Sequence, residues 1–233
     1  MQAVILAGGM GTRLKPVAGK LPKSLVKVAG RPFIEHQLEL LAKNDIHRAL
    51  LCVGYQGKLI EKHLGDGAKF DVVVEYSYEN ADHLLGTGGA LVNALPYLDE
   101  NFMVIYGDSY LPMDYQAAIK TFRRDKDMAM MCVHKNEGKW DKSNVRIADN
   151  RVVFYSKGAK PGEADYIDYG MTFFRRTVIE DCLDKTLPLD MARVQQDLVR
   201  RCYLAAYVVN ERFYEIGKPE GLAELDAMLK AKK

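Results

Sequence analysis

The sequence predicts an α/β fold, a single three-layer Rossmann-like domain on a mostly parallel mixed sheet. Three observations predict it. Apolar runs of strand length alternate with segments of helical period from the start of the chain to about residue 133, the pattern that strand–helix–strand crossovers impose on a parallel sheet. Glycine clusters follow the first run and precede a later helical segment, where the backbone must turn tightly between element types. Beyond residue 144 the elements become closely spaced strands, which adds antiparallel pairs to the parallel part. No linker composition divides the chain and no internal repeat is visible, so one domain over 1–233 is expected.

Residues 2–7 are a short apolar run bounded by glycines and read as a buried first strand. Gly8, Gly9, Met10, Gly11, Thr12, Arg13, Leu14 and Lys15 follow, and Pro22, Lys23 and Ser24 close the segment. Glycines let successive N–H groups curve into a concave anion-binding nest. Arg13 adds a planar fork of donors for phosphate oxygens and Lys23 a mobile point charge. The stretch therefore reads as a polyphosphate cradle, with an ordinary strand-to-helix turn as the alternative. It is not the dinucleotide fingerprint, because Leu14 stands where the third glycine belongs. Nor is it a Walker A loop, whose spacing occurs nowhere in the chain.

Residues 33–43 carry apolar positions at Phe33, Ile34, Leu38, Leu40 and Leu41, a helical spacing. A second buried strand over 49–53 ends at Gly54, a helix over 56–64 is stopped by Gly65-Asp66-Gly67, and 71–76 alternates as an edge strand does. Gly86-Thr87-Gly88-Gly89 then precedes a helix expected over 90–98. Glycines there let a backbone run close to a flat ligand with its N–H and C=O groups free, unless the stretch is only a linker. The very apolar strand 102–106 ends at Gly107-Asp108-Ser109. An aspartate at the tip of a central parallel strand sits where open α/β sheets bind ligands. Beside phosphates a carboxylate calls for a shared divalent cation, unless Asp108 only caps a turn.

A helix is expected over 114–124 and a buried strand over 128–133. Residues 136–144, with the lone Trp140, read as a polar surface loop. A hairpin joins 145–147 to 152–155, and a strand follows over 172–175. Helices are expected over 178–182 and 192–201, the second with Gln195, Gln196 and Arg200 on a solvated face. A late strand covers 204–209, and residues 213–220 open a final helix with a fraying lysine-rich end.

At 233 residues, 48% hydrophobic and 27% charged, the composition is that of a soluble globular protein. A net charge of +2 asks for neither nucleic acid nor an anionic membrane. Four separated cysteines without zinc spacing read as buried thiols in a reducing compartment. The chain starts on a core strand rather than a leader and has no apolar run of spanning length, so a cytoplasmic location is expected.

The run G-G-M-G-T-R-L-K followed by L-P-K-S-L resembles the signature of the sugar-1-phosphate nucleotidyltransferases, and the resemblance extends to about residue 225. It implies the nucleotidyltransferase (glycosyltransferase A-type) fold, with a nucleoside triphosphate and a sugar 1-phosphate as partners and Mg²⁺ as cofactor. The resemblance makes Arg13, Lys23 and Asp108 the catalytic groups. It puts the nucleotide on Leu6, Ala7, Gly8, Gly9, Gly11, Thr12 and Arg13, with its base on Gly86, Thr87 and Gly88. The sugar phosphate falls to Lys157, Asp168 and Gly170, and the metal to Asp108 and Glu215.

Three positions depart from the family. Ser156 stands for a glutamate, Asp168 for an asparagine and Glu215 for an aspartate. The opening run and L-G-T-G-G-A are most similar to guanylyltransferases acting on heptose or mannose 1-phosphate, which supply capsule or lipopolysaccharide precursors. This points to GTP and to D-glycero-D-manno-heptose 1-phosphate, with uridylyl- or cytidylyltransfer as the alternative. A non-catalytic binding module should have lost Arg13, Lys23 or Asp108, and all three are present. A monomer or homodimer is expected.

Overall fold

A computed structural model describes residues 1–9, 11, 14, 19 and 21–231. Its frame is one nine-stranded sheet, separate from the short antiparallel pair β2 (Lys27–Val28) and β3 (Arg31–Pro32). Four strands of the amino-terminal half lie parallel in the order β5 (Val73–Tyr78), β4 (Arg48–Val53), β1 (Gln2–Leu6) and β6 (Asn101–Tyr106). The long β11 (Tyr166–Arg175) then pairs antiparallel with β6 and with β8 (Ala129–Lys135). Beyond β8 lie β12 (Leu204–Val209), parallel to it, and the hairpin β9 (Val145–Ala148) and β10 (Arg151–Tyr155). The mixed sheet expected from the spacing is present, with β5 at its edge.

Side-chain alternation along the strands sends successive residues into two cores. Ile5, Leu51, Ile105, Met130 and Phe173 face one side. They pack on α1 (Phe33–Lys43), α2 (Gly57–Leu64) and α4 (Tyr115–Asp125) through Leu38, Ile60 and Phe122. Val4, Leu50, Val104, Met131 and Phe174 face the other. They meet α3 (Gly86–Asn93), α5 (Arg176–Glu180) and α6 (Met191–Arg200) through Leu91, Ile179 and Leu198. Three layers result. Each fully buried aliphatic or aromatic side chain here contributes about 1.5–3 kcal/mol.

Several expectations need correction. The helix expected over 90–98 starts at Gly86 and stops at Asn93, and a 3-10 turn, Leu95–Tyr97, takes over with Pro96 inside it. The glycines are thus the first turn of the helix, because the Leu189 carbonyl accepts from the N–H groups of Gly88 (2.8 Å) and Gly89 (3.1 Å). Residues 213–218 do not open the final helix. Tyr214–Glu215 forms β13 against β7 (Ser109–Tyr110), and α7 begins at Pro219 (Pro219–Ala231), where proline's missing N–H costs nothing. Gln195 is buried rather than solvated, donating to Thr172 Oγ1 at 3.1 Å. Asn136 is also buried and ties down the polar loop that follows through Asp141, Ser143 and Trp140. Cys52, Cys132 and Cys182 are buried thiols, but Cys202 is exposed. No helix among the described residues is long and apolar enough to cross a membrane.

Candidate active site

Parallel pairing of β1 with β6 brings the glycine loop and the Asp108 turn to the same end of the sheet. The two strand tips touch: Gly107 donates to the Leu6 carbonyl at 3.0 Å, and a Cβ on Gly107 would lie 2.5 Å from that oxygen. Gln37 of α1 holds the turn from below, its Nε2 donating to the carbonyls of Tyr106 (3.1 Å) and Ser109 (2.8 Å). The Ile216 N–H donates to the Asp108 carbonyl at 2.9 Å, and Glu215 pairs across β13 and β7 with Ser109. Asp108 and Glu215, 107 residues apart in the chain, therefore flank one turn.

Lys23 Nζ lies 2.5 Å from Asp108 Oδ2, with both side chains about one-fifth exposed. Glu215 is solvent-accessible yet closely surrounded by protein. That enclosure, with the charges of Asp108 and Asp168, pushes its carboxyl up to about 7. A cation between the two carboxylates would relieve their repulsion. Their hard oxygens suit Mg²⁺, which takes one or two carboxylates and completes its shell with substrate phosphates and water. No group of three or more acidic, histidine or cysteine side chains among the described residues could hold a metal unaided. The residues present fit a metal shared with substrate.

A cavity of about 230 Å³ opens beside this pair, lined by Leu6, Ala7, Gly8, Gly9, Lys23, Gly86, Thr87 and Asp108. Thr12 and Arg13 lie outside the described residues. Gly11 is described, with φ +57 and its Cα side turned to Lys23, but does not line the cavity. Gly88 does not line it either, and its N–H donates to the Leu189 carbonyl. Sequence reasoning missed Glu79, which lies in the same wall. Glu79 Oε2 accepts from the Leu85 N–H at 2.8 Å. A Cβ on Gly8 would fall 2.2 Å from Oε1, so the glycine leaves this carboxylate its room. Burial raises the Glu79 carboxyl above its ordinary value, with the Leu85 N–H working against that. Cys52, also in the wall, is pushed by burial up to about 12 and stays a neutral thiol.

The residues expected to hold the sugar phosphate lie outside this cavity lining. Asp168 is only 9% exposed; its Oδ1 accepts from the Gly170 N–H at 3.0 Å and its Oδ2 from the Tyr155 hydroxyl at 3.3 Å. Burial pushes its carboxyl up to about 6. Gly170 has φ +93, and a Cβ there would meet Ser109 Oγ at 2.9 Å, so this bulged part of β11 abuts the Asp108 turn. Lys157 Nζ lies 2.8 Å from both carboxylate oxygens of Asp190, the N-cap of α6. Burial opposes the Asp190 charge, but Lys157, the Ala192 N–H and Thr87 more than offset this and hold its carboxyl below the usual range. Asp190 was not legible as a site residue: an aspartate before a helical run signals a cap and nothing more.

The profile of the family described as nucleotidyl transferase matches residues 2–232. The mannose-1-phosphate guanylyltransferase of Mycobacterium tuberculosis is 30% identical over 77% of this chain and 50% of its own length. The D-glycero-alpha-D-manno-heptose 1-phosphate guanylyltransferase of Aneurinibacillus thermoaerophilus is 25% identical over 94% of each chain. A glucose-1-phosphate thymidylyltransferase of Streptomyces antibioticus is 31% identical over 77% of this chain and 51% of its own. The chain thus spans about half the length of two of these relatives and nearly all of the third. Among solved structures, HddC from Yersinia pseudotuberculosis complexed with GMP-PN superposes with a TM-score of 0.79 at 26% identity, covering 98% of this chain and 99% of that one.

Proposed function

The chain belongs to the nucleotidyl transferase family, and on that premise we propose that it transfers a nucleotidyl group from a nucleoside triphosphate to a sugar 1-phosphate. The observation that carries the reading is the Lys23–Asp108 pair facing a glycine-walled cavity at the tips of β1 and β6. A phosphate oxygen of the sugar 1-phosphate forms a bond to the α-phosphorus, and the α–β anhydride bond breaks. Its electron pair leaves on pyrophosphate, and no protein nucleophile or proton transfer is required. Catalysis is then positioning plus charge neutralisation. Lys23 neutralises phosphate charge at the reacting centre, and the resemblance assigns the leaving pyrophosphate to Arg13. Asp108 and Glu215 would hold Mg²⁺, which supplies charge neutralisation at the phosphates when bound. Lys157 receives the acceptor's phosphate, while Asp168, bonded to the Tyr155 hydroxyl, shapes the acceptor side.

For the base, the reading is guanine, with a heptose or mannose 1-phosphate as acceptor. Glu79 favours it. An ionised carboxylate only accepts hydrogen bonds and has lone pairs beyond the one used by Leu85. Guanine alone among the common bases offers two adjacent donors, N1–H and N2–H, to such a group, a two-point charge-assisted match. Thermal-shift titration with GTP, UTP, CTP and ATP in the presence of Mg²⁺ tests this. GTP should stabilise most, and Glu79→Gln should erase about tenfold or more of its advantage over UTP. Stabilisation by UTP or CTP but not GTP overturns the guanine assignment. Pyrophosphate release with a panel of sugar 1-phosphates then identifies the acceptor.

A further inference from the structure

We propose that Asp190 is a positioning residue that holds the Lys157 ammonium at the boundary between the nucleotide cavity and the acceptor, an inference that rests on the activity proposed above. The ion pair is two-pronged, 2.8 Å to each carboxylate oxygen, across 33 residues of sequence. Lys157 has no acidic residue beside it in the sequence: Ser156 is a hydroxyl whose Oγ accepts instead from the Gly158 N–H at 3.2 Å. The carboxylate that fixes the lysine comes from another element.

That element is tied to the nucleotide wall. Asp190 Oδ1 accepts from the Ala192 N–H at 2.9 Å and lies 3.4 Å from Thr87 Oγ1. Thr87 Oγ1 in turn accepts from the Met191 N–H at 2.9 Å. Leu189 donates to the Leu85 carbonyl and accepts from Gly88 and Gly89, which locks the first turns of α3 and α6 together. Thr87 lines the cavity. Lys157 is therefore held from the same structural unit that contributes Thr87 to the nucleotide wall.

Both partners are about half exposed, so the pair is open to exchange: an arriving phosphate dianion can share or take over the ammonium. Without Asp190 the lysine, on an exposed turn, would spread over many rotamers. The acceptor would then bear the cost of ordering it.

Asp190→Asn tests this, because asparagine caps a helix as well as aspartate and keeps the side-chain shape. With GTP and either mannose 1-phosphate or D-glycero-α-D-manno-heptose 1-phosphate, the acceptor KM should rise about tenfold, with kcat and the GTP KM changed less than about twofold. In a Lys157→Ala background the same substitution should change the acceptor KM no further, as expected for a residue acting through the lysine. Trace acetylation of the ligand-free protein, read by mass spectrometry at Lys157, should be faster in Asp190→Asn than in wild type. An unchanged acetylation rate overturns the pair. An unchanged acceptor KM, or additive effects in the double variant, overturns the positioning role. A wild-type chain that releases no pyrophosphate with any sugar 1-phosphate overturns the proposed activity, while the acetylation result still judges the pair.

Discussion

At the scale of single residues, the site combines charges that the protein neutralises in different ways. Asp108 is met by Lys23, Asp190 by Lys157, and Glu79 by a backbone N–H. Glu215 and the buried Asp168 make no ion pair among the described residues, and the carboxyl of Asp168 rises from 3.8 to about 6. The folded state therefore holds this proton more tightly than the unfolded state. The contribution of Asp168 to stability falls as pH rises from about 4 to about 6 and is level above that. Asp168→Asn removes the buried charge, while its amide can still accept from Gly170 and donate to Tyr155. The variant should be more stable than wild type by about 2–3 kcal/mol near pH 7.5, and the gain should vanish near pH 4. Thermal melts at the two pH values check this, and a variant less stable at the higher pH contradicts it.

At the scale of elements, the junction of α3 with α6 is the part most exposed to small changes. Gly86 has φ +77, and a Cβ there would lie 2.5 Å from the Leu189 carbonyl oxygen. Gly9 has no positive φ in the left-handed region, and its Cβ would meet nothing within 4 Å among the described residues. Gly86→Ala should thus destabilise the protein by about 1–3 kcal/mol through strain alone, whereas Gly9→Ala should leave stability unchanged. Thermal denaturation without nucleotide separates the two. Equal melting temperatures for both variants would show that the Leu189 contact yields easily. These glycines are readable in the sequence as a cluster, but their reason is not, because Leu189, which they accommodate, comes 103 residues after Gly86.

At the scale of the whole molecule, β11 decides cohesion. It runs antiparallel between β6 and β8, joining the parallel half to the mixed half. Phe173 faces one core and Phe174 the other, both fully buried. Truncating either to alanine should cost about 3–5 kcal/mol. If the sheet unfolds as a unit, urea titration followed by far-UV dichroism and by tyrosine fluorescence should give coincident transitions for both variants. Separate transitions for Phe174→Ala would show that the two halves unfold independently.

The sequence by itself determined the strand–helix alternation, the edge position of β5, and the meeting of the glycine loop with Asp108. These follow from local period and from the rule that parallel strands present their tips on one side. It also pointed to Lys23 and to Glu215, the latter through resemblance. Only the tertiary structure decided the rest. Gln195 became a buried partner of Thr172, residues 213–218 became a strand and turn against Ser109, Glu79 came to line the cavity, and Asp190 came to meet Lys157. Each of these depends on a partner at least 23 residues away or on an enclosing cavity. The physical reason is that periodicity records which face of an element is buried. A polar side chain's role is fixed by what the other elements bring against it.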